Sequence, residues 1–348
     1  MDNPFVRNEK TPARRRREKI LKILLLILLL VTVFFIGCLL GKYKISFPNV
    51  FKTLFGFGTP KDNLVMFDMR LPRLCLAILV GVAMGASGVI MQDLLHNELA
   101  SPGTLGVSDG ATLMITIYMA FLFTKKTNPV LMPFLALIGG ILSALIIYAL
   151  GTRRKKPISS TKLIMTGVAV GAAYSAFGTF ITYALDETKL QSLQMWQAGE
   201  LWAANESNPW IYISILFLWV LAFGFIAIYR GKVLNAISLG FDTATSLGID
   251  TRKEFLLLSF VSVALSSGAV AFGGNFFFLG LIGSHIARRI VGSDARYVIP
   301  TSGVVASIMV MLANILVTDF DLFANIPTGI FVSIVSVPYF IYLLLKSR

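Results

Sequence analysis

Few residues in this sequence are of types and spacings that could do chemistry. The nearest approach to a nucleotide phosphate loop is Gly37-Cys38-Leu39-Leu40-Gly41-Lys42-Tyr43. A working loop, GxxxxGK[ST], brings glycine backbone and a lysine to the phosphates and a hydroxyl to the metal. This stretch is one residue short, lacks the Ser or Thr, and closes an apolar run. If ATP powers the protein, the ATPase is another polypeptide. The two histidines, His96 and His285, have Asn97-Glu98 and Ser284 as neighbours and lie in opposite halves of the chain. A metal site needs converging ligands, so a structural or interfacial role is expected for both. Cys38 and Cys75 form neither a CxxC pair nor a disulfide framework. They read as small buried apolar residues. No cluster of His, Asp or Glu at catalytic spacing supports a membrane enzyme. Asp68, Asp93, Asp109 and Glu254 fall near the ends of apolar runs. That weighs against an ion-coupled secondary transporter, which needs charge within its spans. No catalytic, cofactor or metal residue is expected.

The elements that would position any function are membrane helices. The 348 residues are 56% apolar and 14% charged, with a mean hydropathy of +0.77. Soluble domains carry about 25% charged residues. A span needs about 20 mostly apolar residues. Candidates are roughly 20–40, 70–94, 104–124, 130–150, 161–185, 208–229, 254–273, 275–291, 298–318 and 326–345. The eighth is the shortest, because Gly273-Gly274 can split it from the seventh. The first follows Arg14-Arg15-Arg16-Arg17 and lacks the short apolar core and cleavage site of a signal peptide. With the N-terminus inside, 22 of the 31 Lys and Arg fall on the cytoplasmic side. The nine outside are Lys42, Lys44, Lys52, Lys61, Arg70, Arg73, Lys125, Lys126 and Lys189. This bias supports ten spans with both termini cytoplasmic. It also accounts for the net charge of +13 without a nucleic-acid partner. The expected organisation is a basic segment, 1–19, and one all-α transmembrane domain, 20–348. The second span carries Gly81, Gly85 and Gly88, which suits close helix packing in lipid.

Two kinds of loop stand out. Outside, residues 186–210 hold Trp196, Trp202 and Trp210 among acidic side chains, as membrane-interface anchors do. Inside, residues 230–253 are polar and patterned. Leu234-Asn235-Ala236-Ile237-Ser238-Leu239 is stopped by Gly240. Asp242 is expected to cap a second short helix, Thr243 to Leu247, which Gly248 ends. Thr251 and Glu254 have capping-box spacing for the next span. Two short helices here would form a knob able to dock in a soluble partner.

Three stretches carry a resemblance. The first is Arg70-Leu71-Pro72-Arg73, continued by Leu79 to Gly88, Gln92 and Asn97 to Ser108. The second is the knob, Leu234 to Gly248. The third joins Gly280-Leu281-Ile282, His285-Ile286-Ala287-Arg288, Gly292-Ser293-Asp294, Ile326-Pro327-Thr328-Gly329 and Pro338. In order and spacing they resemble the FecCD-type permeases, which serve ABC importers of ferric siderophores, haem and cobalamin. The resemblance covers about residues 20–345. It implies ten spans per subunit, a second permease subunit, two ATPase subunits and an extracellular solute-binding protein. It implies coupling to the ATPases through Leu234, Asn235, Leu239, Gly240, Leu247 and Gly248. It also implies docking of the binding protein on Arg70 and Arg73. The expected location is the cytoplasmic membrane of a bacterium. The expected cargo is a ferric siderophore, with haem or cobalamin as the alternative.

Four positions depart from the family pattern. Glu98 stands where N-P-L-A has proline, and Ser284 where V-P-H-I-A-R has proline. Phe241 follows Gly240 in place of glutamate, and Thr318 lies where an arginine is usual, with Asp319 and Asp321 nearby. The missing arginine breaks a symmetric dock. The expectation that follows is a heterodimer with a second, more typical permease.

Overall fold

A computed structural model describes residues 11–122, 131–152, 160–319 and 326–346. Lys125, Lys126, the run Arg153-Arg154-Lys155-Lys156 and Asp321 lie outside the described residues. Every regular element described is helical. In chain order these are α1 (Pro12–Leu39), α2 (Phe47–Leu54), α3 (Pro60–Asn63), α4 (Leu71–Leu95), α5 (Val107–Ile117), α6 (Leu131–Gly151), α7 (Ser160–Thr182) and α8 (Glu187–Gln197). There follow α9 (Pro209–Tyr229), α10 (Gly231–Ser238), α11 (Phe241–Ser246), α12 (Thr251–Gly273), α13 (Leu279–Val291), α14 (Ala295–Asp319) and α15 (Thr328–Lys346). A π-helical turn, Leu64–Arg70, joins α3 to α4, and another, Tyr118–Leu122, extends α5.

Seven stretches are long and apolar enough to cross a membrane: Ala13–Leu39, Pro60–Leu95, Phe134–Gly151, Ser160–Thr182, Pro209–Tyr229, Thr251–Gly273 and Ala295–Asp319. Val107–Leu122 and Thr328–Tyr342 are shorter apolar helices. At 13 residues, α13 is about 20 Å long, short of a bilayer core. The anticipated break at Gly273-Gly274 is present. Gly274 ends α12 at φ +87°, and a Cβ there would stand 2.2 Å from the Trp196 carbonyl oxygen. The first helix starts earlier than its apolar run and includes Arg14–Arg17.

The core is built on α4, which packs against α12, α13 and α14. Its glycine stripe sets the distance between backbones. A Cβ on Gly81 would lie 2.3 Å from the Ser307 amide nitrogen, one on Gly85 2.5 Å from the Ser302 carbonyl oxygen, and one on Gly88 2.2 Å from the Gly280 carbonyl oxygen. Serines use the closeness. Ser302 Oγ donates to the Gly85 carbonyl at 3.0 Å and Ser307 Oγ to that of Ile78 at 2.7 Å. Ser87 and Ser262 exchange hydroxyl-to-carbonyl bonds of 2.9 and 3.0 Å between α4 and α12. By contrast α1, α7 and α9 present most of their surface outward.

Gly85→Val should therefore separate α4 from α14. The obstacle is backbone, which cannot swing aside, so the cost should reach about 3 kcal/mol, the upper end for overpacking. A thermal-stability series with Gly178→Ala as control, where a Cβ meets nothing within 4 Å, checks this. Equal melting of the two variants would reject the packing account.

Candidate functional site

The residues picked out between Leu234 and Gly248 fold into a two-helix projection. Its first helix, α10, follows α9 after one residue, Arg230. Leu239 ends it, and Gly240 then turns the chain at φ +117°, ψ 145°. Side chains rarely enter that region of backbone space. The second helix begins at once, at Phe241, with Gly240 as its N-cap and no side-chain cap. This corrects the expected start at Thr243 under an Asp242 cap. The glycine completes the reversal by itself, and Asp242 sits in the first turn, where its charge faces the positive end of the helix. A second glycine, Gly248 at φ +82°, ends α11. The capping of α12 also differs from the Thr251–Glu254 box. Asp250 Oδ1 accepts from the Lys253 amide at 3.1 Å, and Thr251 is the first helical residue.

The six residues divide by direction. Leu234, with Ile237 and Ala244, is wholly buried under the projection. Leu239 and Leu247 are 70% and 65% exposed. Two large apolar side chains thus stand clear of the chain on either side of Gly240. Asn235 turns inward. Its Nδ2 donates to Asp294 Oδ1 at 2.8 Å, and its Oδ1 accepts from the Ala295 amide at 2.7 Å. That fixes α10 to the turn before α14.

Two more contacts hold the projection. His96 ends α4 in the left-handed conformation, φ 48°. Its Nε2 lies 2.7 Å from the Ile237 carbonyl oxygen and must carry the proton there. Its ring meets Phe241 edge-on at 5.2 Å, and Phe241 packs on Phe255 of α12 at 6.1 Å. At the base, Arg230 Nη1 pairs with Glu254 Oε1 at 2.9 Å, tying the end of α9 to the start of α12. The projection is therefore anchored to α4, α12 and α14, the same helices that form the core.

At the opposite end of α4, both arginines of the R-L-P-R stretch are half-buried and engaged within the chain. Arg70 Nη1 donates to the Cys38 carbonyl at 2.6 Å, and Nη2 to the Tyr43 carbonyl. Arg73 Nη2 donates to Asn205 Oδ1 at 2.7 Å. They hold the segments that follow α1 and precede α9. The phosphate-loop look-alike forms no cradle, since Gly37 to Leu39 are the last turn of α1.

Two pairings are invisible to local pattern. Asp93 and Arg288 form a buried ion pair at 2.8 Å between α4 and α13. Asp294 organises the base of α10. Arg288 and Asp294 lie in the motif stretches, but their partners are 195 and 59 residues away, beyond any local pattern. His285 does not meet His96. It lies 3.8 Å from Glu98 Oε2 and accepts from Arg289 Nε at 3.1 Å.

Two short helices project from one end, arginines hold the segments at the other, and helices apolar enough to cross a membrane join them. The sequence matches the FecCD transport family over residues 27–346, and the chain belongs to that family. It is 35% identical over 328 residues to the iron(3+)-hydroxamate import system permease protein FhuG of Bacillus subtilis, covering 91% of this chain and 94% of that one. It is 34% identical over 324 residues to the iron-uptake system permease protein FeuC of the same organism, covering 91% and 95%. A solved structure described as an inward-facing conformation of a metal-chelate type ABC transporter superposes with a TM-score of 0.79 at 26% identity, covering 94% and 99%.

Asn235→Ala removes two bonds, one of them to a carboxylate, where such bonds contribute about 1.5–3 kcal/mol. Amide exchange across α10 and α11 should rise at least tenfold, equivalent to about 1.4 kcal/mol. Hydrogen bonds from Arg296, reinforced by Asn235, push the Asp294 carboxyl down to about 2. Its unfolded value is about 3.9. A depressed carboxylate stabilises above the unfolded value and loses that contribution as pH falls through the folded one. The anchoring should thus be constant from neutral to mildly acidic pH. Exchange that rises on mild acidification, or is unchanged in Asn235→Ala, would overturn it.

Proposed function

We propose that this chain is the permease subunit of an ABC importer that takes up an iron chelate of the siderophore type across a bacterial cytoplasmic membrane. ATP is hydrolysed on separate subunits, and the chain itself holds no cofactor. The observation that carries this reading is the exposed Leu239–Gly240–Leu247 tip on an anchored base. An apolar tip of two short helices fits a groove in a soluble ATPase, and its rigid base passes displacement to α4, α12 and α14. Membership of the FecCD family and likeness to iron-chelate permeases support the cargo class. The charge bias supports ten crossings with both termini in the cytoplasm, α13 and α15 among them.

A second permease subunit, of unlike sequence, completes the path. The exposed face of α7 supports a further helix there, since it shows Ala172, Ala173, Ser175, Ala176 and Thr179 beside Phe177 and Phe180. Small and hydroxyl-bearing side chains suit a helix–helix interface in lipid. A cavity of about 540 Å³ opens beside α15, bordered by Gln197, Asn275, Ile330, Ser333 and Val337. It forms one wall of the entry for the chelate, which an extracellular binding protein delivers on the Arg70 and Arg73 side.

In a strain lacking the chromosomal copy, the wild-type chain should restore uptake of a radiolabelled ferric hydroxamate. Leu239→Asp with Leu247→Asp should abolish uptake and co-purification of the ATPase, while the protein accumulates and melts normally. Normal uptake by that variant would remove the tip from the mechanism.

Docking by charge at the mouth predicts that Arg73→Lys keeps affinity for the binding protein at low salt. Arg73→Gln should lose about threefold to tenfold, less at high salt because exposed charges are screened. If Lys and Gln behave alike, Arg73 serves only to hold Asn205.

A further inference from the structure

The contact between α6 and α12 is tight at one level and open at another. A Cβ on Gly140 would stand 2.4 Å from Ser267 Oγ. Below that point, toward the end of α6 and the start of α12, the helices part around an apolar cleft of about 140 Å³. Ala144, Leu145 and Tyr148 line one wall and Leu256, Phe260 and Val263 the other. Leu145, Leu256 and Phe260 are exposed, so the cleft opens sideways, where lipid must lie. Its far end is closed by Leu163 of α7, packed against Gly151. An apolar cavity near 150 Å³ stays dry and takes up apolar molecules. In a bilayer the apolar molecule at hand is a hydrocarbon chain.

The rim of the cleft is basic. Arg252 lies one turn before Leu256 on the stripe of α12 that continues through Phe260 and Val263. Lys162 adjoins Leu163 at the start of α7. Both are exposed, and neither forms an ion pair with the described residues. The nearby carboxylates are taken, Asp250 by Lys253 and Glu254 by Arg230. Basic residues directly beside a span attract anionic lipid.

We infer that this cleft holds an acyl chain of an anionic phospholipid of the cytoplasmic leaflet, with its phosphate on Arg252 and Lys162. The leaflet rests on the topology proposed above; the cleft and its charges do not. The chain would wedge α6 and α12 apart at the level of Phe255, which carries Phe241 of the tip.

The test uses the whole importer in vesicles of equal parts phosphatidylglycerol and phosphatidylethanolamine, released into native mass spectrometry. The wild type should retain phosphatidylglycerol about tenfold over phosphatidylethanolamine. Arg252→Gln with Lys162→Gln, both surface changes, should bring that ratio near one. Ala144→Phe should fill the cleft and lose the retained lipid. Should Ala144→Phe fail to fold, the double glutamine variant decides alone. No preference in the wild type, or the same preference in the glutamine variant, would mean annular lipid only and overturn the site. Separately, Arg252→Cys should react with a membrane-impermeant maleimide only in inverted vesicles. Reaction in right-side-out vesicles would overturn the leaflet and the topology while leaving the cleft result to stand.

Discussion

Everything in this protein depends on how closely α4 can approach its neighbours. Lipid is as apolar as leucine, so burying leucine against leucine gains little in a membrane. What remains is dispersion between close backbones and hydrogen bonds made without competing water. Gly81, Gly85 and Gly88 permit the first, and Ser87, Ser262, Ser302 and Ser307 supply the second. Each serine hydroxyl reaches a carbonyl of another helix only because a small residue lets the helices approach. The two devices are one constraint.

That constraint explains why the projection can be small. Its two helices have eight and six residues, too few to be stable in isolation. They persist because Asn235, His96 and Arg230 fasten them to helices that cannot move independently. Between the exposed Leu239 and Leu247 and the helices α4, α12 and α14 stand these few side-chain contacts, and the anchoring rests on the packed core.

The sequence made some of this legible. The glycine stripe shows as a short-period repeat, and Gly240 and Gly248 mark the turns because left-handed backbone needs glycine. Helix starts were less legible. Both Gly240 and Asp242 are acceptable N-cap types, and only the backbone reversal decides between them. The anchors were not legible at all. His96 and Ile237 are 141 residues apart, and no period or spacing relates a histidine to a distant carbonyl. Arg70 and Arg73 showed the opposite difficulty: their position was clear, but their carbonyl and amide partners were not.

The departures from the family pattern acquire a physical meaning in the fold. Phe241 replaces a charge with a ring set between His96 and Phe255, so it strengthens the anchor rather than altering the tip. Glu98 presents its carbonyl to Gln92 Nε2 at 2.7 Å and its carboxylate to His285. Ser284 is buried and bonds within α13 to the Leu281 carbonyl at 2.8 Å. Each of these three finds a contact inside the chain. Thr318 is different. It caps its own helix through the Asn314 carbonyl at 2.9 Å, beside Asp319 and at the end of α14 nearest Arg70. An arginine there would add a cation to the mouth, and Asp319 instead adds a carboxylate. Of the four departures, Thr318 is the one that lies beside Arg70, at the end of α14.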